Sequence, residues 1–205
     1  ADLWRAVEQG RPCATPVPRA AAPLPATGTG ALPAETPPAT GEAETLLDVL
    51  DARVRTEPDG TQLICLADEV ETRISHRQLA QAAAAVAAGL QRAGLRPRQT
   101  VAIMLPTSPE YFFTYFGILR AGGIPVPIYP PARASQLEDH VRRHTGILAN
   151  AQVRLMVSVP QAMTVARLLQ ARVPGLRQVL SPEQLAAGGG VPKPVPVRGD
   201  DIAFI

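Results

Sequence analysis

The feature that most limits the fold is Val101-Ala102-Ile103-Met104-Leu105, five apolar residues in a row stopped by Pro106. A strand with one face in water alternates apolar and polar side chains. An unbroken apolar run of strand length belongs to a strand covered on both faces, as in a parallel sheet. Parallel strands need crossover connections, usually helical, so helical signals should stand on either side of this run. They do. Ser75 with Gln78 has the spacing of a capping box and opens an Ala-rich helix through Leu90, which ends before Gly94 at the left-handed C′ position. After the run, Ser108-Pro109-Glu110 opens a second helix with Pro at its first position, and Gly122-Gly123 ends it.

The alternation continues. Ile124-Pro125-Val126-Pro127-Ile128-Tyr129 reads as an edge strand, or a loop passing one, because its prolines remove ladder donors. Ser135 with Glu138 marks another capping box, opening a helix that closes around Asn150; Arg154 to Val159 is a strand, and Pro160 starts a helix through Val173. Val179-Leu180 is a short strand, and Ser181 with Gln184 caps one more turn. Asp200-Asp201-Ile202-Ala203-Phe204-Ile205 reads as the opening of a buried strand. Before Ser75, Leu46 to Val54 have helical spacing, and Gln62 to Leu66 with Glu71 to Ile74 form a strand pair around Asp68-Glu69. The expected fold class is α/β, a mostly parallel sheet flanked by helices, with no internal repeat.

Residues 1–44 differ in kind. They hold 8 Pro, 11 Ala, 5 Thr and 4 Gly, so little apolar surface is available to offset the entropy of ordering them. The expected organisation is a Pro/Ala-rich disordered leader or linker over 1–44, with a short amphipathic piece around Trp4, and a folded part over 45–205. The chain starts at Ala1 rather than Met and ends within a strand pattern, so it reads as a fragment.

Charge excludes some functions. Lys and Arg number 20 against 18 Asp and Glu, a formal net charge of +2, which is not the clustered basic excess of a nucleic-acid-binding surface. No run approaches the ~18 apolar residues of a membrane span, and no secretory signal opens the chain. Cys13 and Cys65 form neither a disulfide framework nor a zinc pattern, so a cytoplasmic location is expected. Of the 20 basic residues only Lys193 is lysine, and it sits in the extended strip Val191-Pro192-Lys193-Pro194-Val195-Pro196, ill placed for chemistry that needs a positioned amine.

Few other residues suggest chemistry. Gly188-Gly189-Gly190 lacks a following Lys-Ser/Thr and leads into prolines, so it reads as a connector rather than a phosphate cradle, and Gly122-Gly123 as a helix stop. His140 and His144 stand at i and i+4, where two rings can share a metal, but Glu138 and Asp139 point elsewhere on the wheel. The preferred reading is electrostatic: Glu138 and Asp139 early in the helix, and Arg142, Arg143 and His144 later, match its dipole. Phe112, Phe113 and Phe116 share a stripe expected to face the sheet, leaving Tyr111 and Tyr115 for a pocket wall. Taken alone, these residues contain no active site.

The order of segments from 72 to 131 carries a resemblance. Thr72-Arg73-Ile74-Ser75-His76-Arg77-Gln78-Leu79 resembles the early Leu-Ser/Thr-Tyr-x-x-Leu motif of the adenylate-forming superfamily, which joins acyl-CoA synthetases and peptide-synthetase adenylation domains. Val101 to Leu119 looks like the strand and helix that follow, and Leu119-Arg120-Ala121-Gly122-Gly123-Ile124-Pro125-Val126-Pro127 like the Leu-Lys-Ala-Gly-x-x-x-Val-Pro motif. Ile128-Tyr129-Pro130-Pro131, Leu137-Glu138 and Ile147 to Ala151 are more like the fatty acyl-AMP ligase branch. The match covers residues 45 to 205.

The resemblance implies the N-terminal part of the large domain of a two-step enzyme. A carboxylate attacks the α-phosphate of ATP with Mg²⁺ assistance, and the acyl group then passes to the phosphopantetheine thiol of an acyl carrier protein, alone or within a polyketide or peptide synthase module. In the family the phosphate loop follows a strand like Asp200 to Ile205, and the adenine, ribose, Mg²⁺ and lysine contacts come later. No catalytic, cofactor-binding or metal residue is therefore assigned here. ATP and Mg²⁺ belong to the full-length enzyme, neither is expected to bind this stretch tightly, and the stretch alone is expected to be inactive. The rival expectations are an acyl-CoA ligase and an inactive truncated module acting only in binding.

Overall fold

The structure is a computed structural model and describes residues 43–67, 70–131 and 137–205. The leader through Glu42, Cys13, the Asp68-Glu69 turn and the Ser135 cap lie outside the described residues. The elements in order are α1 (Leu46–Thr56), β1 (Thr61–Ala67), β2 (Val70–Ser75), α2 (His76–Arg92), β3 (Thr100–Met104), α3 (Pro109–Arg120), β4 (Ile124–Pro127), α4 (Leu137–Asn150), β5 (Leu155–Ser158), α5 (Met163–Arg172), β6 (Gln178–Leu180) and α6 (Pro182–Ala187). A 3₁₀ turn, Pro160–Ala162, leads into α5.

Local chemistry sets the helix ends. Ser75 caps α2 in both directions: the Gln78 N–H donates to Ser75 Oγ at 3.2 Å, and the Ser75 N–H donates to Gln78 Oε1 at 2.8 Å. Ser181 and Gln184 repeat this at α6. Thr45 and Asp48 do the same at α1, with a carboxylate in place of the amide. Ser108 is the N-cap of α3 but makes no side-chain cap bond. At the other end of α2, Gly94 has φ +87°, and Gly94 and Leu95 donate to the carbonyls of Gln91 and Leu90, a Schellman closure. Gln152 closes α4 in the same way at φ 52°, without glycine.

The main sheet has the order β4-β3-β5-β6 and is parallel throughout. β3 is central and all five of its residues are buried, which is why its sequence shows no alternation. Its side chains divide between two layers. Ala102 and Met104 join Val126, Met156, Val141, Leu148, Val165 and Leu169 under α4 and α5. Val101 and Ile103 join Leu155, Val157, Val86, Leu90, Ile118 and Leu185 under α2, α3 and α6. β4 is an edge strand, as its prolines require. β1 and β2 form a separate antiparallel pair, Ile64 opposite Arg73 and Leu66 opposite Glu71.

The aromatic stripe of α3 corrects the sequence expectation. Phe112 and Phe116 pack with Leu50, Ile74 and Leu79 of α1, β2 and α2, not on the sheet. Phe113 touches this cluster and the sheet-side one, where Ile118 and Ala121 lie. The reason is steric. α3 is covered on two sides, and Gly117 lets α2 come so close that a Cβ there would lie 2.6 Å from Val86 Cγ1. The rings of Phe112 and Phe116 pack instead against α1 and β2. Among the described residues, no helix is long and apolar enough to cross a membrane.

Candidate functional site

In open α/β sheets, ligands bind beyond the carboxyl ends of the strands. Here those ends are Leu105-Pro106 after β3, Ile128-Tyr129 after β4 and Ser158-Val159 closing β5. Beneath Tyr129 lie His140 and His144 of α4, stacked with ring centroids 3.8 Å apart; Tyr129 meets both edge-on, at 5.5 and 4.9 Å. Both histidines are buried, His144 almost completely. His144 Nδ1 lies 2.8 Å from the His140 carbonyl, which can only accept, so this nitrogen carries the proton. Among the described residues, His140 Nε2 and Ser158 Oγ have no hydrogen-bond partner.

Burial pushes the His140 imidazole down to about 4, with a further push from His144. His144 is also lowered, by burial first and by Arg143, against an upward pull from its bond to His140. Both rings are thus neutral near pH 7. This corrects the dipole reading: His144 is an interior ring in mid-helix, and no basic residue lies in the last turn of α4. Glu138 and Asp139 do occupy the first turn, with Asp139 paired to Arg142 at 2.9 Å.

A cleft of about 480 Å³ lies at the opposite end of the sheet. Its walls are Glu44 to Leu47, Pro97-Arg98, Gly122 to Ile124 and Val195 to Ala203, all near the amino ends of β3 and β4. Tyr111 and Tyr115 do not line it. The Tyr115 hydroxyl donates instead to the Ala203 carbonyl at 3.3 Å. Burial raises both tyrosines above their ordinary value, so both stay protonated.

The final segment differs from its sequence expectation. Asp200 to Ile205 is neither a strand nor buried: Ile202, Phe204 and Ile205 are 52%, 60% and 51% exposed. An outer parallel strand needs a layer on each face, and no described element covers this one. The segment is nevertheless aimed. Arg98, before β3, pairs with Asp201 at 3.8 Å, and the Ile205 N–H donates to the Pro125 carbonyl, in β4, at 3.2 Å. The segment thus passes Arg98, before β3, and its last residue, Ile205, meets the free edge of β4 at Pro125. With this apolar edge in water, the 205-residue chain is expected to self-associate. Sedimentation should show a mass that rises with concentration, and Phe204→Glu should shift it toward monomer. A wild-type monomer at all concentrations would contradict this.

The remaining sequence candidates fall outside any site. Gly188 to Gly190 follow α6 and lead away from it; Arg92 reaches across to the carbonyls of Leu185 and Gly189, so cationic donors already occupy the acceptors there. Lys193 is exposed, and its backbone N–H and carbonyl exchange hydrogen bonds with the Gln91 side chain at 2.8 and 2.9 Å. Cys65 is a free, half-buried thiol in β1. Among the described residues, no three His, Cys, Asp or Glu side chains stand close enough to hold a metal ion. No step through ATP or Mg²⁺ is assigned to the described residues. The sequence reading missed the Gln91–Lys193, Arg98–Asp201 and Tyr115–Ala203 contacts. Each joins residues about a hundred positions apart, and local pattern carries no signal for such pairs.

Residues 50–205 match the family described as AMP-binding enzyme. The chain is 31% identical over 170 residues to pyochelin synthetase PchE of Pseudomonas aeruginosa, covering 78% of this chain and 11% of that protein. It is 32% identical over 162 residues to phenyloxazoline synthase MbtB of Mycobacterium tuberculosis, covering 79% and 10%. Among solved structures, the fatty acid AMP ligase from Legionella pneumophila matches with a TM-score of 0.67 at 25% identity, over 80% of this chain and 28% of that one. Apo MbtA of Mycobacterium smegmatis gives 0.66 at 26%, over 79% and 31%. The chain thus spans 11% and 10% of the length of these curated relatives. Its parallel sheet with flanking helices matches the N-terminal portion of the large domain of adenylate-forming enzymes. The chain belongs to the AMP-binding enzyme family, within the adenylate-forming superfamily.

Proposed function

We propose that this chain is the opening part of an adenylating unit that activates a fatty acid with ATP as an acyl-adenylate and passes it to an acyl carrier protein in the cytoplasm. Residues 45–205 supply the first layers of the large domain, and residues 1–44 serve as a leader or linker. The observation that carries this reading is that the segment, after pairing with Arg98 through Asp201, reaches the free edge of β4 at Pro125 through Ile205. A phosphate loop following a strand along that edge would emerge where open sheets bind nucleotides. ATP and Mg²⁺ are assigned to the rest of the whole protein, and the 205 residues alone are inactive. The fatty acid choice is supported by the likeness to the Legionella ligase and by Ile128-Tyr129-Pro130-Pro131.

A second reading has its own support. The curated relatives, at 31% and 32% identity, are synthetases of pyochelin and phenyloxazoline, closer in sequence than the fatty acid ligase at 25%. On that reading the unit adenylates another carboxylic acid within a peptide-synthetase assembly line. ATP–pyrophosphate exchange by the full-length protein separates the two. Exchange driven by fatty acids, with transfer to a holo carrier protein, is the expected result. Exchange driven only by amino or aryl acids would support the second reading, and efficient thioester formation with free coenzyme A would make the protein an acyl-CoA ligase. Exchange by the isolated 205 residues would refute the assignment of the reactive groups elsewhere.

A further inference from the structure

Residues 188–204 cross from α6 to the edge of β4 without one backbone hydrogen bond to the sheet, and only Ile205 makes one. The register of this strap must be set by side chains. Its sequence makes that difficult, because Val191-Pro192-Lys193-Pro194-Val195-Pro196-Val197 offers a backbone N–H at every second residue and nothing between. Sliding the strap by two residues reproduces the same pattern of donors and acceptors, the condition under which register is weakly specified.

Three contacts break the degeneracy. Gln91, at the end of α2, brackets one residue: its Oε1 accepts from the Lys193 N–H at 2.8 Å and its Nε2 donates to the Lys193 carbonyl at 2.9 Å. The side-chain amide acts as a one-residue strand neighbour. The bracket alone would fit Val191 or Val195 equally well. The second contact is shape. Gly122, the C′ residue of α3 at φ +72°, carries no side chain, and Val195 fills the space: a Cβ at 122 would lie 2.6 Å from Val195 Cγ1. A slip that brought Val191 to Gln91 would set Lys193 over Gly122; the opposite slip would set another valine, Val197, there, and it is opposed further along by Arg98, which pairs with Asp201 at 3.8 Å.

We propose that Gln91, the Gly122 notch and Arg98 together form a register lock that fixes where residues 198–205 meet β4, and that Gln91 is thereby a positioning residue for the nucleotide site. The functional half rests on the adenylation reading above. A two-residue slip would displace Ile205 along β4 by roughly 6–7 Å, about two strand residues, and carry whatever follows with it.

Hydrogen exchange read by mass spectrometry on dilute protein tests the lock directly, since four amides in 191–197 are easily counted. Wild type is expected to show one slow amide there, at Lys193. Gln91→Ala should speed it roughly tenfold or more, the weight of a lost hydrogen-bond pair, and should also speed 201–205 while leaving 101–105 unchanged. Gln91→Glu, which can accept but not donate, should fall between. Val195→Ala, which empties the notch, should spread protection over neighbouring amides. Unchanged exchange in Gln91→Ala, or equal acceleration in 101–105, would overturn the lock. In the full-length protein, Gln91→Ala should raise KM for ATP severalfold with KM for the acid unmoved. If the strap loosens and KM for ATP does not change, the positioning role is refuted. The adenylation reading fails separately, if wild type shows no exchange of pyrophosphate at all.

Discussion

Replacing Gly89 with valine is expected to unfold the domain or cost it about 3 kcal/mol or more, the upper range for overpacking a well-filled interior. Gly89 lies on the face of α2 that meets α6, and a Cβ there would clash with the Leu185 carbonyl oxygen and sit 2.7 Å from Leu185 Cα. These are backbone atoms, so no rotamer change relieves the contact. Nor can α6 retreat cheaply. Leu185 is 2% exposed and belongs to the cluster containing Leu90, Val101 and Ile103, while Arg92 holds the Leu185 carbonyl at 3.0 Å. Moving α6 would give up that burial, about 2 kcal/mol for one leucine, as well as the cap at Ser181. Gly146 provides the control. It is an exposed residue inside α4, and a methyl group there would meet nothing within 4 Å, so Gly146→Ala should stabilise by about 0.5–1 kcal/mol through helix propensity alone. Urea midpoints of both variants followed by circular dichroism check the pair. A Gly89→Val protein as stable as wild type would show that the α2–α6 contact is looser than described.

What is legible in the sequence follows from the range of the forces involved. Capping boxes at Ser75 and Ser181, the stop at Gly94 and the buried strand at Val101 are set by neighbours within a few residues, and each stands where the sequence puts it. Periodicity shows that α3 has apolar faces but not which neighbour covers each, because that depends on α1 and β2 folding back over it. The same holds for His140 and His144. Their spacing is visible in the sequence, while their neutrality comes from Tyr129 and the sheet enclosing them. The strap is the extreme case. Gln91 and Lys193 are each unremarkable, and only the path of the chain gives them to one another.

The histidine pair should give the domain an acid sensitivity that begins well above the carboxylate range. Tyr129 from the end of β4 meets both rings, and Arg143 of α4 acts on His144. Among the described residues no carboxylate draws either ring toward its charged form, and Asp139 is paired with Arg142. In the unfolded chain a histidine takes a proton near 6.5, whereas His140 in the fold resists down to about 4. Between these values the unfolded state binds more protons, so stability falls as pH falls; above 6.5 both states are neutral and the contribution is complete. The full difference for His140 is about 3 kcal/mol, of which about 2 is lost by pH 5, before most carboxylates titrate. The lowered His144 acts in the same direction. His140→Phe keeps a ring stacked on His144 and edge-on to Tyr129 and removes both the titration and the unpartnered Nε2. Urea unfolding between pH 7.5 and 5 should therefore show a steep loss of stability in wild type and a shallower one in His140→Phe. Parallel slopes for the two proteins would place the acid sensitivity elsewhere and leave the stacked pair without a part in it.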